Sequence, residues 1–190
     1  MKQSLAITRA IERYASELRI VEDNHLTLDQ VKQAAQQIGS SIGTYAAFNN
    51  TIHAMQTLAS HYKLIVLSNV DHTSFSQTLT GPLQNLPFGG VYIAEDIGTY
   101  KPSLNNFSYL VDHLKQDFGI EQHELCHVAN SIFHDQEPAK EFGLEWRVWV
   151  DRRGFSGGEA EGAVERLGLK VRVETLGELA GVVEEAWREK

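Results

Sequence analysis

Residues 64 to 71, LIVLSNVD, run four apolar side chains straight into a serine, an asparagine and an aspartate. A short, continuous apolar run bounded by polar turn formers reads as a strand buried on both faces. The same signature returns at helix-length intervals, in GVYIA (90–94), ELCHVA (124–129) and RVWV (147–150). Between these runs lie helical segments: SFSQTLTGPL (74–83), NNFSYLVDHLKQDF (105–118) and EPAKEFG (137–143). Strands separated by helices imply βαβ units and a parallel sheet covered on both sides, so the predicted fold class is α/β.

Upstream of this alternation the chain reads as helical. Residues 3–19 repeat apolar side chains near the 3.6-residue period, and Thr27 with Gln30 three positions on fits a capping box opening a second helix. A third helix is expected from Thr51 to His61. The glycine-rich stretch 152–164 reads as a loop or weakly structured insertion, before LKVRV (169–173) forms a last strand and 175–189 a closing amphipathic helix.

Composition narrows the function classes. At 190 residues, 42% hydrophobic and 22% charged, the chain suits one good core with a small appendage. A net charge of −8, with Arg152 and Arg153 the one adjacent basic pair, argues against nucleic acid or an anionic membrane as partner. No segment reads as a membrane span or signal peptide, which makes a cytoplasmic location the default. Cys126 is the single cysteine and sits among apolar neighbours, so a buried, inert thiol is expected. None of the eight histidines has metal-ligand spacing, and most are expected at the surface.

Ligands of open α/β sheets collect beyond the carboxyl ends of the strands. The first strand delivers Ser68, Asn69 and Asp71 there; the second, Glu95, Asp96 and, further on, Lys101; the third, Asn130, Ser131, His134 and Asp135; the fourth, Asp151 and Arg152. Each has an ordinary explanation. Ser and Asn stop strands or cap helices, and Asp151 with Arg152 reads as a surface pair worth little. Jointly, small neutral donors, a lysine and an Asn-Ser-x3-Asp set could converge on one anion.

That order of pieces, LIVLSN (64–69), EDIGTYKPS (95–103) and HVANSIFHDQEPAKEFGLEWRVWVDRRG (127–154), resembles the haloacid dehalogenase (HAD) superfamily, most closely its 2-haloacid dehalogenase-like hydrolases. The resemblance implies a Rossmann-like parallel-sheet core over residues 47–190 and a partial helical cap over 1–46. It implies hydrolysis through an aspartyl ester, with Ser68 and Asn69 holding substrate oxygens and Lys101 offsetting negative charge. Asp135 would anchor that lysine or orient water, while Asn130 and Ser131 complete the polar floor. The implied partner is a small anionic substrate, a 2-haloacid or a phosphate ester; a homodimer is one option among oligomeric states.

Two departures qualify the resemblance. The opening motif of the family, a strand ending in a nucleophilic aspartate and a Gly-Thr turn, has no counterpart, and Asp71, Asp96 and Asp151 occupy positions assigned to other roles. The chain is therefore expected to be truncated and catalytically incomplete, with an open row where a central strand should pair; recruitment of a strand from another chain and closure of the gap are the alternatives. Direct pairing of the strands ending at Leu67 and Ala129 would mean closure. The second departure is Asn130, where magnesium-dependent phosphatases carry an acid, since an amide binds a hard dication more weakly. This favours a dehalogenase-like enzyme without a cofactor over a Mg2+-dependent phosphatase. The rival from another class is a non-catalytic anion-binding or interaction module. A flavodoxin-like cofactor binder ranks below both, lacking a phosphate-cradling loop after the first strand.

Overall fold

The computed structural model describes residues 8–13, 27–152 and 162–189. Contacts divide the described chain into two units, residues up to 47 together with 69–85, and residues 48–68 together with 86 onward.

In the first unit, local chemistry starts the main helix where the sequence places it. Helix α1, Leu28–Ser41, opens on Thr27, whose Oγ1 accepts the Gln30 N–H at 3.2 Å while Gln30 Oε1 accepts the Thr27 N–H at 2.7 Å. The reciprocal pair satisfies two amides that a helix N-terminus otherwise leaves open. Residues 8–13 are helical, and Thr8 donates to the Ala35 carbonyl of α1 at 3.2 Å. The remainder of the helix expected over 3–19 lies outside the described residues. A 3-10 turn, Ile42–Thr44, follows α1 and packs against the helix His72–Thr80. Gly43 makes that approach possible, because a Cβ there would stand 2.3 Å from the Ser74 carbonyl oxygen.

The second unit is the α/β part. Helix α2, Thr51–Ala59, precedes strand β1, Leu64–Ser68. After α3, the His72–Thr80 helix already described, come β2, Phe88–Ile93, the single turn α4, Ala94–Ile97, and helix α5, Asn105–Phe118. Strand β3, Cys126–Ala129, leads through a π turn, Ile132–Gln136, into helix α6, Glu137–Phe142. Strand β4, Trp146–Val150, the short helix α7, Ala163–Leu167, strand β5, Val171–Val173, and helix α8, Leu176–Arg188, complete it. The glycine-rich stretch thus ends in a helix, and its positions 153–161 lie outside the described residues. Among the described residues no helix is long and apolar enough to cross a membrane.

Among the described residues every ladder is parallel, as the βαβ alternation requires. β1 pairs with β2 from Ile65 opposite Gly90 to Ser68 opposite Ile93, and β3, β4 and β5 form a second sheet in that order. Among the described residues the strands ending at Leu67 and Ala129 are not paired with each other.

Alternate residues feed two apolar layers. On one side Leu64, Val148, Val150 and Val173 meet Ala54 and Leu58 of α2 and Leu179 and Ala180 of α8. On the other, Ile65, Leu67 and Tyr92 meet Leu110 and Leu114 of α5, and Trp149 meets Ala163 and Leu167 of α7. Phe107, fully buried between Ala139 and Leu144, extends this second layer under α6.

The contact at Gly43 carries a prediction for the first unit. Gly43→Ala is expected to cost about 1–3 kcal/mol, the usual range for forcing atoms into a packed site, seen as a lower urea midpoint. An unchanged midpoint would refute the close approach of the 3-10 turn to α3.

Candidate active site

Lys101 follows the α4 turn, in a loop that the cis Lys101–Pro102 peptide bond helps define. Its ammonium donates to Asp135 Oδ1 at 2.6 Å and to the Leu67 carbonyl at 2.9 Å. The side chains of Lys101 and Asp135 are each 10% exposed, so this is a buried ion pair rather than a surface one. Leu67 is the penultimate residue of β1, and Asp135 lies in the π turn after β3. A single cation thereby ties the carboxyl end of β1 to the segment that leaves the carboxyl end of β3.

Asp135 has a third neighbour. His127 on β3 places Nε2 3.3 Å from the same Oδ1, although without the alignment of a directed hydrogen bond, and its ring lies edge-on to Phe107. Burial alone would raise the Asp135 carboxyl pKa; the close imidazole of His127 and the charge of Lys101 outweigh it and hold the group below its ordinary value of 3.8. Nothing local singles out His127 among the eight histidines. Its one legible signal is alternation, since it precedes Val128 on a strand and so faces the opposite side.

The residues after β3 serve partly as struts. Ser131 caps the π turn, its Oγ accepting the His134 N–H at 3.0 Å. Asn130 donates its amide to the Val150 carbonyl at 2.8 Å, and its own carbonyl accepts Trp149 Nε1 at 2.9 Å, which locks the ends of β3 and β4 together. Gln136, fully buried and missed in the sequence, donates to the Ala129 and Val148 carbonyls at 3.1 and 2.9 Å. Ser68, half-buried, closes β1 directly after the carbonyl that Lys101 holds. Asn69 falls in the first unit together with Asp71, which is buried and caps α3 by accepting the Ser74 N–H at 2.8 Å.

Two expectations need correction. Asp151 and Arg152 do not form a surface pair: Asp151 is 2% exposed and bonds the Arg172 guanidinium of β5, while Arg152 stacks on the Phe48 ring, 4.0 Å from its centroid. Parallel pairing of β4 with β5 brings Arg172 to the end of β4, a neighbour the linear sequence does not show. Cys126 is exposed rather than buried, at the start of β3 where its ladder neighbour Trp146 is 47% exposed as well, although partial burial still raises its thiol pKa.

Among the described residues no three His, Cys, Asp or Glu side chains converge, and Asp135 is engaged by Lys101 and His127. What the arrangement offers chemically is a buried ammonium held beside a strand end, able to offset negative charge on a bound anion.

Because the Asp135 pKa is depressed, its contribution to stability is complete above the ordinary carboxylate range and lost as pH falls through the folded-state value. Asp135→Asn, which leaves Lys101 buried without its counter-charge, should cost about 3–5 kcal/mol at neutral pH. The gap between wild type and variant in urea midpoint should narrow as pH drops below 3.8, where the wild-type carboxyl also protonates. A gap independent of pH would show that the charge is not the cause.

No protein-family model matches the chain, and no curated protein matches it. Solved structures do. The L-2-haloacid dehalogenase PA0810 superposes with a TM-score of 0.73 at 17% identity, over 96% of this chain and 74% of that one. The L-2-haloacid dehalogenase from Xanthobacter autotrophicus, solved with chloropropionic acid covalently bound, gives 0.61 at 16% identity, over 94% and 84%. A HAD phosphatase from Thermococcus onnurineus gives 0.59 at 18% identity, over 94% and 89%. At such identities the likeness is one of fold, and it agrees with the parallel α/β architecture built above: the chain has the fold of the haloacid dehalogenase superfamily.

Proposed function

We propose that this chain is a haloacid dehalogenase-type hydrolase for a small anionic substrate, a 2-haloacid in the first instance, and that among the described residues no aspartate at a strand end is placed to attack. The buried Lys101–Asp135 pair at the ends of β1 and β3 is the observation that supports it. In the aspartyl-ester route a carboxylate oxygen bonds to the carbon bearing the halogen, halide leaves with the bonding electrons, and water opens the ester. Lys101 would offset the negative charge of that attack, Asp135 would keep the lysine in place, and Ser68, Asn130 and Ser131 would form the polar surround.

Support for the missing nucleophile comes from the acids at strand ends. Asp71 is spent on a helix cap, Asp135 on Lys101 and Asp151 on Arg172. The same observation favours a second reading, a non-catalytic module that binds an anion without turning it over. A magnesium-dependent phosphatase is the weaker third, since the donors around Asp135 are already engaged.

Incubated with 2-chloropropionate, the purified chain is expected to release no halide above the background of Lys101→Ala; release above it would refute the missing nucleophile. Fusing a strand that ends in aspartate ahead of residue 1 should restore release, and failure to do so would assign the chain to the non-catalytic reading. Turnover of p-nitrophenyl phosphate that requires magnesium would favour the phosphatase.

Inorganic phosphate should raise the melting temperature of the chain, and Lys101→Ala should abolish that shift. A shift that survives the substitution would place the anion elsewhere.

A further inference from the structure

Two donors converge on one oxygen of Asp135. Lys101 Nζ lies 2.6 Å from Oδ1 and His127 Nε2 lies 3.3 Å from it, and all three side chains are 10% exposed. The place of His127 is set by the sheet. Strand alternation turns it away from Val128, onto the face where its ring stands edge-on to Phe107 of α5, with centroids 5.5 Å apart. Phe107 is itself fully buried against Ala139 and Leu144, so the imidazole leans on a packed ring.

Arg147, opposite His127 in the β3–β4 ladder, brings donors only and sends Nη2 to the Leu167 carbonyl. Among the described residues Asp135 is therefore the acid beside Nε2. That nitrogen carries a hydrogen in this position, because a bare ring lone pair would face the lone pairs of a carboxylate. The contact is long and makes no directed hydrogen bond, so the closer lysine dominates Oδ1. Two donors at one oxygen repel each other, more strongly in a buried site than in water, and each weakens the hold of the other.

We infer that His127 is a positioning residue for Lys101, which by sharing Oδ1 keeps Asp135 from neutralising the ammonium in full and leaves it charge to offer an anion at the end of β1. This rests on the reading of Lys101 as the anion-binding group. His127 acts through Asp135 and touches no substrate. As an anion draws Lys101 from Oδ1, the Nε2 hydrogen can straighten onto the vacated oxygen, and the buried carboxylate keeps a donor. Without the histidine the same movement leaves that carboxylate short of a partner, which is costly in a site closed to water.

The test titrates inorganic phosphate calorimetrically into the intact chain and into His127→Leu, His127→Gln and Lys101→Ala, with urea midpoints to confirm that each variant folds. Leucine fills the space beside Phe107 without a donor, whereas the glutamine amide supplies one in place of Nε2. His127→Leu should weaken phosphate binding about fivefold, the scale of one hydrogen bond, and His127→Gln should bind as the parent chain does. A glutamine variant as weak as the leucine one would mean a packing role and overturns the proposal. Loss of the imidazole should also raise the Asp135 pKa, read without phosphate by carbon NMR of its carboxyl group. An unchanged titration midpoint overturns the proposal whatever the anion does. Phosphate binding that is absent, or that survives Lys101→Ala, refutes the anion-site reading and the proposal with it. Binding that needs Lys101 and ignores His127→Leu refutes the proposal alone.

Discussion

A buried ammonium must be paired, and the pairing of Lys101 organises the carboxyl end of the α/β unit. Its bonds to the main chain of β1 and to the carboxylate after β3 join two sheets that share no ladder among the described residues. Desolvating two charges is expensive, and such pairs persist where both partners are satisfied and held by their surroundings. Here the holding is visible: Asp135 sits in a turn capped by Ser131, and His127 approaches the same carboxylate from β3. A cation fixed in this way has a position before any ligand arrives, which is the property that electrostatic catalysis and anion binding both require.

Around that pair the fold works by layers. Helices α2 and α8 cover one side of the strands and α5, α6 and α7 the other, with alternate strand residues committed to each. Cover is thinnest where β3 and β4 begin: Cys126 is exposed, and Trp146, opposite it on β4, is 47% exposed. The struts from Asn130 and Gln136, each reaching a carbonyl of β4, keep the β3 end in place, where among the described residues β4 is its one strand partner.

Much of this was legible from local pattern. The apolar runs of LIVLSNVD and its successors marked the strands, and helix α5 occupies the whole of NNFSYLVDHLKQDF because its apolar spacing and the Gly119 that ends it are encoded in adjacent residues. The Thr27–Gln30 box opened α1 for the same reason. Lys101 and Asp135 were candidates because both lie beyond strand ends, and it was the resemblance that implied their pairing. His127, Gln136 and Arg172 were not selected, since each acts through a partner at least seven residues away whose proximity arises from strand pairing.

What the sequence alone determined is therefore the alternation of strand and helix, the caps, the α/β class and the candidate residues at strand ends, all of which depend on periodicity and on neighbours within a few positions. Tertiary structure decided which charges meet. It paired Asp151 with Arg172 instead of Arg152, exposed Cys126, and, among the described residues, left no ladder between β1 and β3. Register between strands and burial on an edge depend on what lies across the sheet, and that is information a linear chain carries only once it has folded.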